Sequence, residues 1–270
     1  MRPMSVVSIA LNEWARLFLS GRGWAAIITF SLIWLVFLMY AIAPAASYVS
    51  SSDFSFVVQL LFGSFENTAF TNWKSAEIAL YWFFSLYLLP FFTMICAADQ
   101  IASDRARGTM RFLVLRTSRT NIFFGRFIGQ YLIQLFIILA TIGTVLGLVA
   151  YKSPEKLPVA LNEAPVVMVN LALVLLSYVA LMALVSILAK TARQATMLAI
   201  VGWIVFWFVI GYVQNNFGPI PVLDWVLPGS QLSTLLRFGS WDTLALAPIP
   251  IVQTIILLGL GWFAINRCDL

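Results

Sequence analysis

Residues 99–126 read DQIASDRARGTMRFLVLRTSRTNIFFGR and lie between two unbroken apolar runs, 78–97 and 127–150. The stretch holds six of the sixteen basic residues of a 270-residue chain, Arg105, Arg107, Arg111, Arg116, Arg119 and Arg126, against two acids, Asp99 and Asp104. Around it the chain is apolar: 61% of residues are hydrophobic and 10% charged, against roughly 25% charged in soluble domains. Mean hydropathy is +0.94. A globular fold cannot bury that much apolar surface, and lipid demands that every backbone group be paired within its own segment. The expected class is therefore an all-α integral membrane protein.

Working outward from the loop, a helix needs about 20 apolar residues to cross a ~30 Å hydrocarbon core. Six runs qualify: 24–43, 78–97, 127–150, 166–189, 195–213 and 249–265. The first ends in Ala41-Ile42-Ala43, which resembles a cleavage site, but about twenty residues of patterned sequence precede it, so it reads as a span and not as a signal peptide. Six spans put both ends of the chain on one side. Arg2, Arg16, Arg22, the six loop arginines, Lys190, Arg193 and Arg267 share that side, while Lys74, Lys152, Lys156 and Arg237 fall on the other. Basic residues resist translocation, so the expectation is a multi-pass protein of the inner (plasma) membrane with cytoplasmic N- and C-termini. One transmembrane domain over 1–270 then divides into an interfacial helix (1–23), spans one and two (24–97), a cytoplasmic loop (98–126), spans three to five (127–213), an external region (214–248), and the last span with its tail (249–270).

Between Ser5 and Ser20, polar Ser5, Ser8, Asn12, Arg16 and Ser20 recur at helical steps, while Val7, Leu11, Trp14 and Phe18 line another face. This pattern predicts an amphipathic helix lying along the bilayer surface, with a bend at Gly21-Arg22-Gly23. No Asp, Glu, Lys, Arg or His falls within the six runs, so the ionisable relay that an ion- or proton-coupled carrier needs is missing. The runs carry amides instead, Gln130, Gln134, Asn170 and Gln253, together with Ser177. Amides in lipid seek partners, which makes these four candidates for interhelical bonds and for lining a substrate path. Gly125-x3-Gly129 and Gly143-x3-Gly147 permit close helix approach, and Pro90 predicts a kink in the second span. After the fifth span, 222–227 and 231–238 are too short to cross and read as re-entrant or interfacial helices, with Pro228-Gly229 as a turn and Ser230 as a cap. Phe54 to Phe62 predicts a similar interfacial helix, and Tyr48, Trp73, Trp225 and Trp241 suit the outer headgroup level.

Within the loop, the second helix is expected to continue through Asp99, Ile101 and Asp104 to a stop at Gly108. Thr109 then caps a short helix, Arg116-Thr117-Ser118-Arg119 breaks it, and Ser118 caps the approach to the third span. Topology explains the arginines. It does not explain the apolar insert at 110–115, which would be wasted in water and suits docking of a soluble partner.

The run Asp104-Arg105-Ala106-Arg107-Gly108-Thr109-Met110-Arg111-Phe112-Leu113, followed by Arg116-Thr117-Ser118-Arg119 and Gly125-Arg126, resembles the motif of ABC-2 type permeases, the membrane subunits of one class of ATP-binding-cassette transporter. In that family an acidic-basic pair precedes Gly-Thr, a short leucine-rich helix follows, and a break leads through Gly-Lys into the third span. Here Asp104 stands for the commoner glutamate, Thr117 for proline and Arg126 for lysine. Asn266-Arg267-Cys268-Asp269-Leu270 is similar to the family's terminus. The resemblance implies two permease subunits side by side, a homodimer or a pair with a paralogue, each docking a separate ATPase through a coupling helix at 109–115. The ATPase-coupling residues it implies are Asp99, Asp104, Arg105, Gly108, Thr109, Met110, Arg111, Phe112, Leu113, Arg116 and Arg119.

The residues themselves agree with that division of labour: no Gly-x4-Gly-Lys-Ser/Thr phosphate loop occurs, so ATP and Mg are expected on the partner, and no cofactor on this chain. No catalytic set assembles, since no span or loop pairs a nucleophile with a base. Histidine is absent and the cysteines are Cys96 and Cys268, so no metal site is expected. The modest, clustered +5 charge speaks for topology and against nucleic acid. The expected function is export of a hydrophobic or amphipathic substrate across the lipid bilayer. The alternative is a membrane subunit of an ABC-type complex serving cofactor or metalloenzyme maturation or cell-surface biogenesis.

Overall fold

The computed structural model describes residues 5–48, 73–217, 225 and 227–267. The segments 54–62 and 268–270, and most of 222–227, lie outside the described residues. Among those described, the structure is helical throughout, with no strand. The helices are α1 (Val6–Leu19), α2 (Gly21–Phe37), α3 (Ala43–Tyr48), α4 (Ala76–Cys96), α5 (Ala102–Ala106), α6 (Met110–Val114), α7 (Arg119–Lys152), α8 (Leu157–Leu188), α9 (Ala192–Phe217), α10 (Leu232–Leu235) and α11 (Pro248–Arg267). Among the described residues, six helical stretches are long and apolar enough to cross a membrane, Gly23–Ala46, Ala76–Ala106, Arg119–Lys152, Pro154–Leu188, Ala192–Val213 and Ser240–Arg267, each covering one of the six runs read from the sequence to within one residue. The helices outrun those windows, however, and so carry Glu77, Arg126 and Glu163, each at most 8% exposed.

Burial ranks the spans. The apolar windows of α4 and α8 are 67% and 61% buried, against 17% for the first span and 12% for α9, so α4 and α8 form the centre and the other two present apolar faces outward. Side chains with polar tips lock the centre. Trp34 of α2 packs edge-on against Tyr81 of α4 and donates its indole N–H to Thr144 of α7 at 2.8 Å, while the Tyr81 and Thr141 hydroxyls lie 2.9 Å apart. One end of the bundle, where α5 and α6 lie, has a second apolar cluster built from Ile9, Ile101, Met110, Phe123 and Ile187.

Proline shapes two spans differently. The α4 helix continues through Pro90. In the first span the missing N–H of Pro44 and its ring crowd the preceding turn, and the chain widens into a π turn over Leu38–Ile42, with the Ala43 N–H bonding the Leu38 carbonyl.

The amphipathic helix forms as expected, between two serine caps. Ser5 Oγ accepts from the Ser8 N–H at 3.2 Å, and Ser20 Oγ accepts from the Gly23 N–H at 3.0 Å to start α2. The bend therefore sits at Ser20, in extended backbone. Ile9 and Ala10 are the buried side of α1, and Val7 and Leu11 remain exposed. The helix lies against α7 at the Gly125-x3-Gly129 step. A Cβ on Gly125 would stand 2.7 Å from Ile9 Cβ, and one on Gly129 would stand 2.9 Å from Glu13 Cβ. A Cβ on Gly143 or Gly147 would meet nothing within 4 Å. Trp73 departs from the expected headgroup belt: it is 4% exposed and packs on Trp82 at 5.9 Å, because it precedes a helix at the centre of the bundle. Gly125→Leu is expected to overpack the α1 crossing by about 1–3 kcal/mol, lowering the thermal midpoint of the purified protein and opening α1 to protease. Gly143→Leu should leave both unchanged, and equal effects at the two positions would show that the crossing does not hold α1.

Candidate functional site

The loop does not run as a simple extension of the second span. The α4 helix stops at Cys96, a tight turn covers Ala97–Asp99, and Ile101 breaks the helical path before α5. This break turns Gln100 inward, where its side chain donates to the Val179 carbonyl at 3.2 Å. Gly108 ends α5 as expected, in the left-handed region at φ 68°. Thr109 does not cap α6. Its backbone is helical rather than extended, and its hydroxyl donates to the Asp104 carboxylate at 3.0 Å. Ser118 does cap, accepting from the Asn121 N–H at 3.2 Å.

At the centre of this region lies Arg126, 8% exposed. It sits on α7 between the two glycines that admit α1, so its guanidinium lies at the meeting point of three elements. It pairs with Glu13 of α1 at 3.2 Å, donates to the Asp104 carboxylate of α5, and donates to the Gln100 carbonyl at 2.7 Å. A buried guanidinium persists only when its donors are matched, and here each acceptor comes from a different stretch of chain. A more exposed pair, Arg16 to Asp99 at 3.0 Å, repeats the link between α1 and the loop. Arg105 donates to the Ile187 carbonyl at 2.8 Å, satisfying one of the orphan carbonyls at the end of α8. Arg119 donates to the Ile265 carbonyl near the end of α11 at 3.4 Å.

These anchors leave one outward surface. Met110 is 2% exposed and sits in the second apolar cluster, and Leu113 packs partly against it, whereas Phe112 and Leu115 stand 71% and 84% exposed. Arg111 and Arg116 flank them, also exposed. Of the apolar insert read as a docking face, Phe112 and Leu115 are exposed, Leu113 is half-buried and Met110 is buried.

The four amides lie elsewhere. Gln134, fully buried, accepts from Thr93 at 3.0 Å, and Gln130, one turn away, is half-buried. Asn170 donates to the Thr243 hydroxyl at 2.6 Å. Gln253 donates to the Leu227 carbonyl at 2.8 Å, and Trp203 donates to the Pro228 carbonyl at 3.1 Å. The turn so held has Gly229 at φ 94°, its Cα against the Tyr178 hydroxyl with no room for a Cβ. Tyr178 lies about ten residues, ~15 Å, from the end of α8, so the turn reaches well into the bundle, as a re-entrant segment does. Ser230 is not the cap of α10: that position falls to Gln231, which makes no side-chain cap, and the Ser230 hydroxyl bonds the Gln231 amide oxygen.

A family model described as "ABC-2 family transporter protein" matches residues 7–241, from α1 across the loop junction and the re-entrant turn. The chain belongs to this family. No curated protein matches it. An ABC-2 protein is the transport membrane subunit of an ABC transporter whose ATPase is separate, and is not itself a catalyst. The chain is thus a multi-pass membrane permease subunit.

Glu13 is the residue of this junction that sequence reasoning missed. It is the only acid before Asp53, and that isolation on an amphipathic helix was the available signal. Arg126→Leu leaves Asp104 buried without its cation and half-buried Glu13 with only Arg16 at 3.9 Å, and is expected to cost about 3–5 kcal/mol. In a Glu13→Gln background the same change should cost measurably less. A double-mutant cycle on the unfolding of the purified permease reads this coupling, and additive losses would show that Arg126 and Glu13 do not act on each other.

Proposed function

We propose that the chain forms, with a second copy or a paralogue, the translocation path of an ABC exporter for hydrophobic or amphipathic substrates, and that ATP and Mg bound by the separate ATPase drive it through α6. The observation that carries this reading is the pairing of exposure with anchorage. Phe112 and Leu115 protrude between Arg111 and Arg116, while Met110 fixes the helix from behind. An apolar pair ringed by arginines on a helix of five residues is poorly suited to water and well suited to a cleft with acidic or carbonyl rims. Force applied to α6 is received by Asp104 and Arg126, and passes from there to α1 through Glu13 and to α7 through its own backbone. Arg105 and Arg119 add links to α8 and α11. Asp99, Gly108 and Thr109 shape the loop that holds this arrangement.

In this reading the loop end is cytoplasmic, as the distribution of arginine and lysine requires. The outward apolar faces of the first span and α9 provide the walls at which a second subunit and lipid meet the chain, and motion of these spans and α4 opens the path. An apolar bundle without ionisable residues at mid-depth suits cargo that is itself largely apolar.

Phe112→Asp and Leu115→Asp place charge on the protruding pair without touching Met110 or the Arg126 junction. When permease and ATPase are produced together, these variants are expected to lose at least about tenfold in co-purified ATPase, the effect of ~1.4 kcal/mol at an interface, while the permease itself remains folded. Undiminished association with undiminished transport would remove α6 as the point of coupling.

A further inference from the structure

The end of the bundle far from Arg126 carries a pocket that the transport reading does not use. Three segments distant in sequence converge there: Lys74 just ahead of α4, the residues Pro158, Val159, Asn162 and Glu163 on the first turns of α8, and Ser240, where the tight helical segment Ser240–Leu246 begins. They border an open recess of about 410 Å³, within the ~300–1,000 Å³ of small-molecule sites.

Its walls are fixed by bonds inside the chain. Glu163, 7% exposed, accepts from the Lys74 N–H at 2.7 Å and the Ser75 N–H at 3.1 Å. This holds a carboxylate at the start of α4 while leaving it further acceptor positions. Thr243 accepts from Asn170 at 2.6 Å and donates to the Ser240 carbonyl at 2.7 Å, which seats Ser240 against α8. Ser240 itself has φ 52°, the one non-glycine residue with positive φ among the described residues, a conformation that costs roughly 1–2 kcal/mol. Lys74 and Asn162 are exposed, and their side chains form no ion pair or hydrogen bond among the described residues.

The pocket thus gathers a cation, a carboxylate, an amide and a hydroxyl over an apolar floor of Pro158 and Val159. Exposed Tyr151 and Trp241, at the same end of the bundle, mark headgroup level. We propose that this pocket binds the zwitterionic head of an amphiphile. A primary ammonium donates to Glu163, and a phosphate or carboxylate of the same molecule lies against Lys74, Asn162 and the Ser240 hydroxyl. A singly anionic head meets the fixed charge of Glu163 without a compensating ammonium. A quaternary ammonium brings charge but no N–H to donate, so the primary amine is preferred.

The test uses the purified full chain, stripped of lipid and offered equal amounts of phosphatidylethanolamine and phosphatidylglycerol in detergent micelles, with bound lipid read by native mass spectrometry. The expected result is about a tenfold preference for phosphatidylethanolamine, which one charge-assisted hydrogen bond supplies. The preference should fall toward unity in Glu163→Gln, whereas Lys74→Gln lowers retention of both lipids and Lys152→Gln, a cation at the same end outside the pocket, changes neither. Glycerophosphoethanolamine, the soluble head alone, separates the sources. Competition by it assigns the pocket to zwitterionic solutes as well as lipids, and no competition assigns it to membrane lipid. Equal retention of the two lipids, or a preference that survives Glu163→Gln, overturns the proposal. Because the readout is lipid on the permease alone, its outcome is independent of ATPase coupling.

Discussion

The structure depends on a buried guanidinium that cannot be left alone. Taking an arginine out of water costs several kcal/mol unless charge and hydrogen bonds are returned to it, and Arg126 recovers them from Glu13, Asp104 and the Gln100 carbonyl. The three partners belong to the amphipathic helix, the short loop helix and the break after the second span. The loop helix α5 is only five residues, and α1, although packed on α7 through Ile9 and Trp14, still exposes Val7 and Leu11. The ion pairs supply direction where the hydrophobic effect, which has none, does not. A lysine at this position would offer one point charge; the forked guanidinium reaches several acceptors at once.

Inside the bundle the polar groups do a related job at lower strength. Each of Gln134, Asn170 and Gln253 bonds a group from another segment, and the turn at Gly229 is held by Trp203 and Gln253 at its carbonyls. Interhelical bonds of this kind contribute about 0.6–2 kcal/mol each in membranes. Their effect here is to fix register between helices whose surfaces are otherwise interchangeable leucine, valine and isoleucine. The first span and α9 are each fastened by one indole, Trp34 to Thr144 and Trp203 to the Pro228 carbonyl, and turn the rest of their apolar surface outward.

How much of this was legible in the sequence follows from the range over which each feature is decided. The six spans follow from run length and hydropathy, both local, and all six appear where expected. The loop's Gly108 stop and Ser118 cap are likewise decided within a turn. Thr109 and Ser230 also looked like caps, but a nearby carboxylate took the first hydroxyl and a tight turn displaced the second. The π turn before Pro44 follows from local sterics and was readable in principle. Glu13 was marked only by its isolation as the one acid on the amphipathic helix, and nothing near it in sequence names its partner on the third span. Glu163 illustrates the same limit: the apolar window beginning at 166 stops short of it, while the helix does not, and its value lies in the N–H groups of Lys74 and Ser75.

Those two carboxylates show opposite ways of holding charge at the edges of an apolar body. At the loop end Glu13 faces Arg126, which it shares with Asp104, and Arg16, so opposite charges meet there and work as a fastener. At the far end Glu163 is held by backbone N–H groups, which hold the carboxylate but cancel no charge. The Lys74 ammonium, although its own backbone binds Glu163, forms no ion pair among the described residues. An acid and a base kept near each other yet unpaired form a dipolar recess, and at headgroup level such a recess discriminates between amphiphiles by their charge pattern. The charges thus give rigidity at the loop end and an unpaired dipolar recess at the other, and they stay out of the apolar runs between.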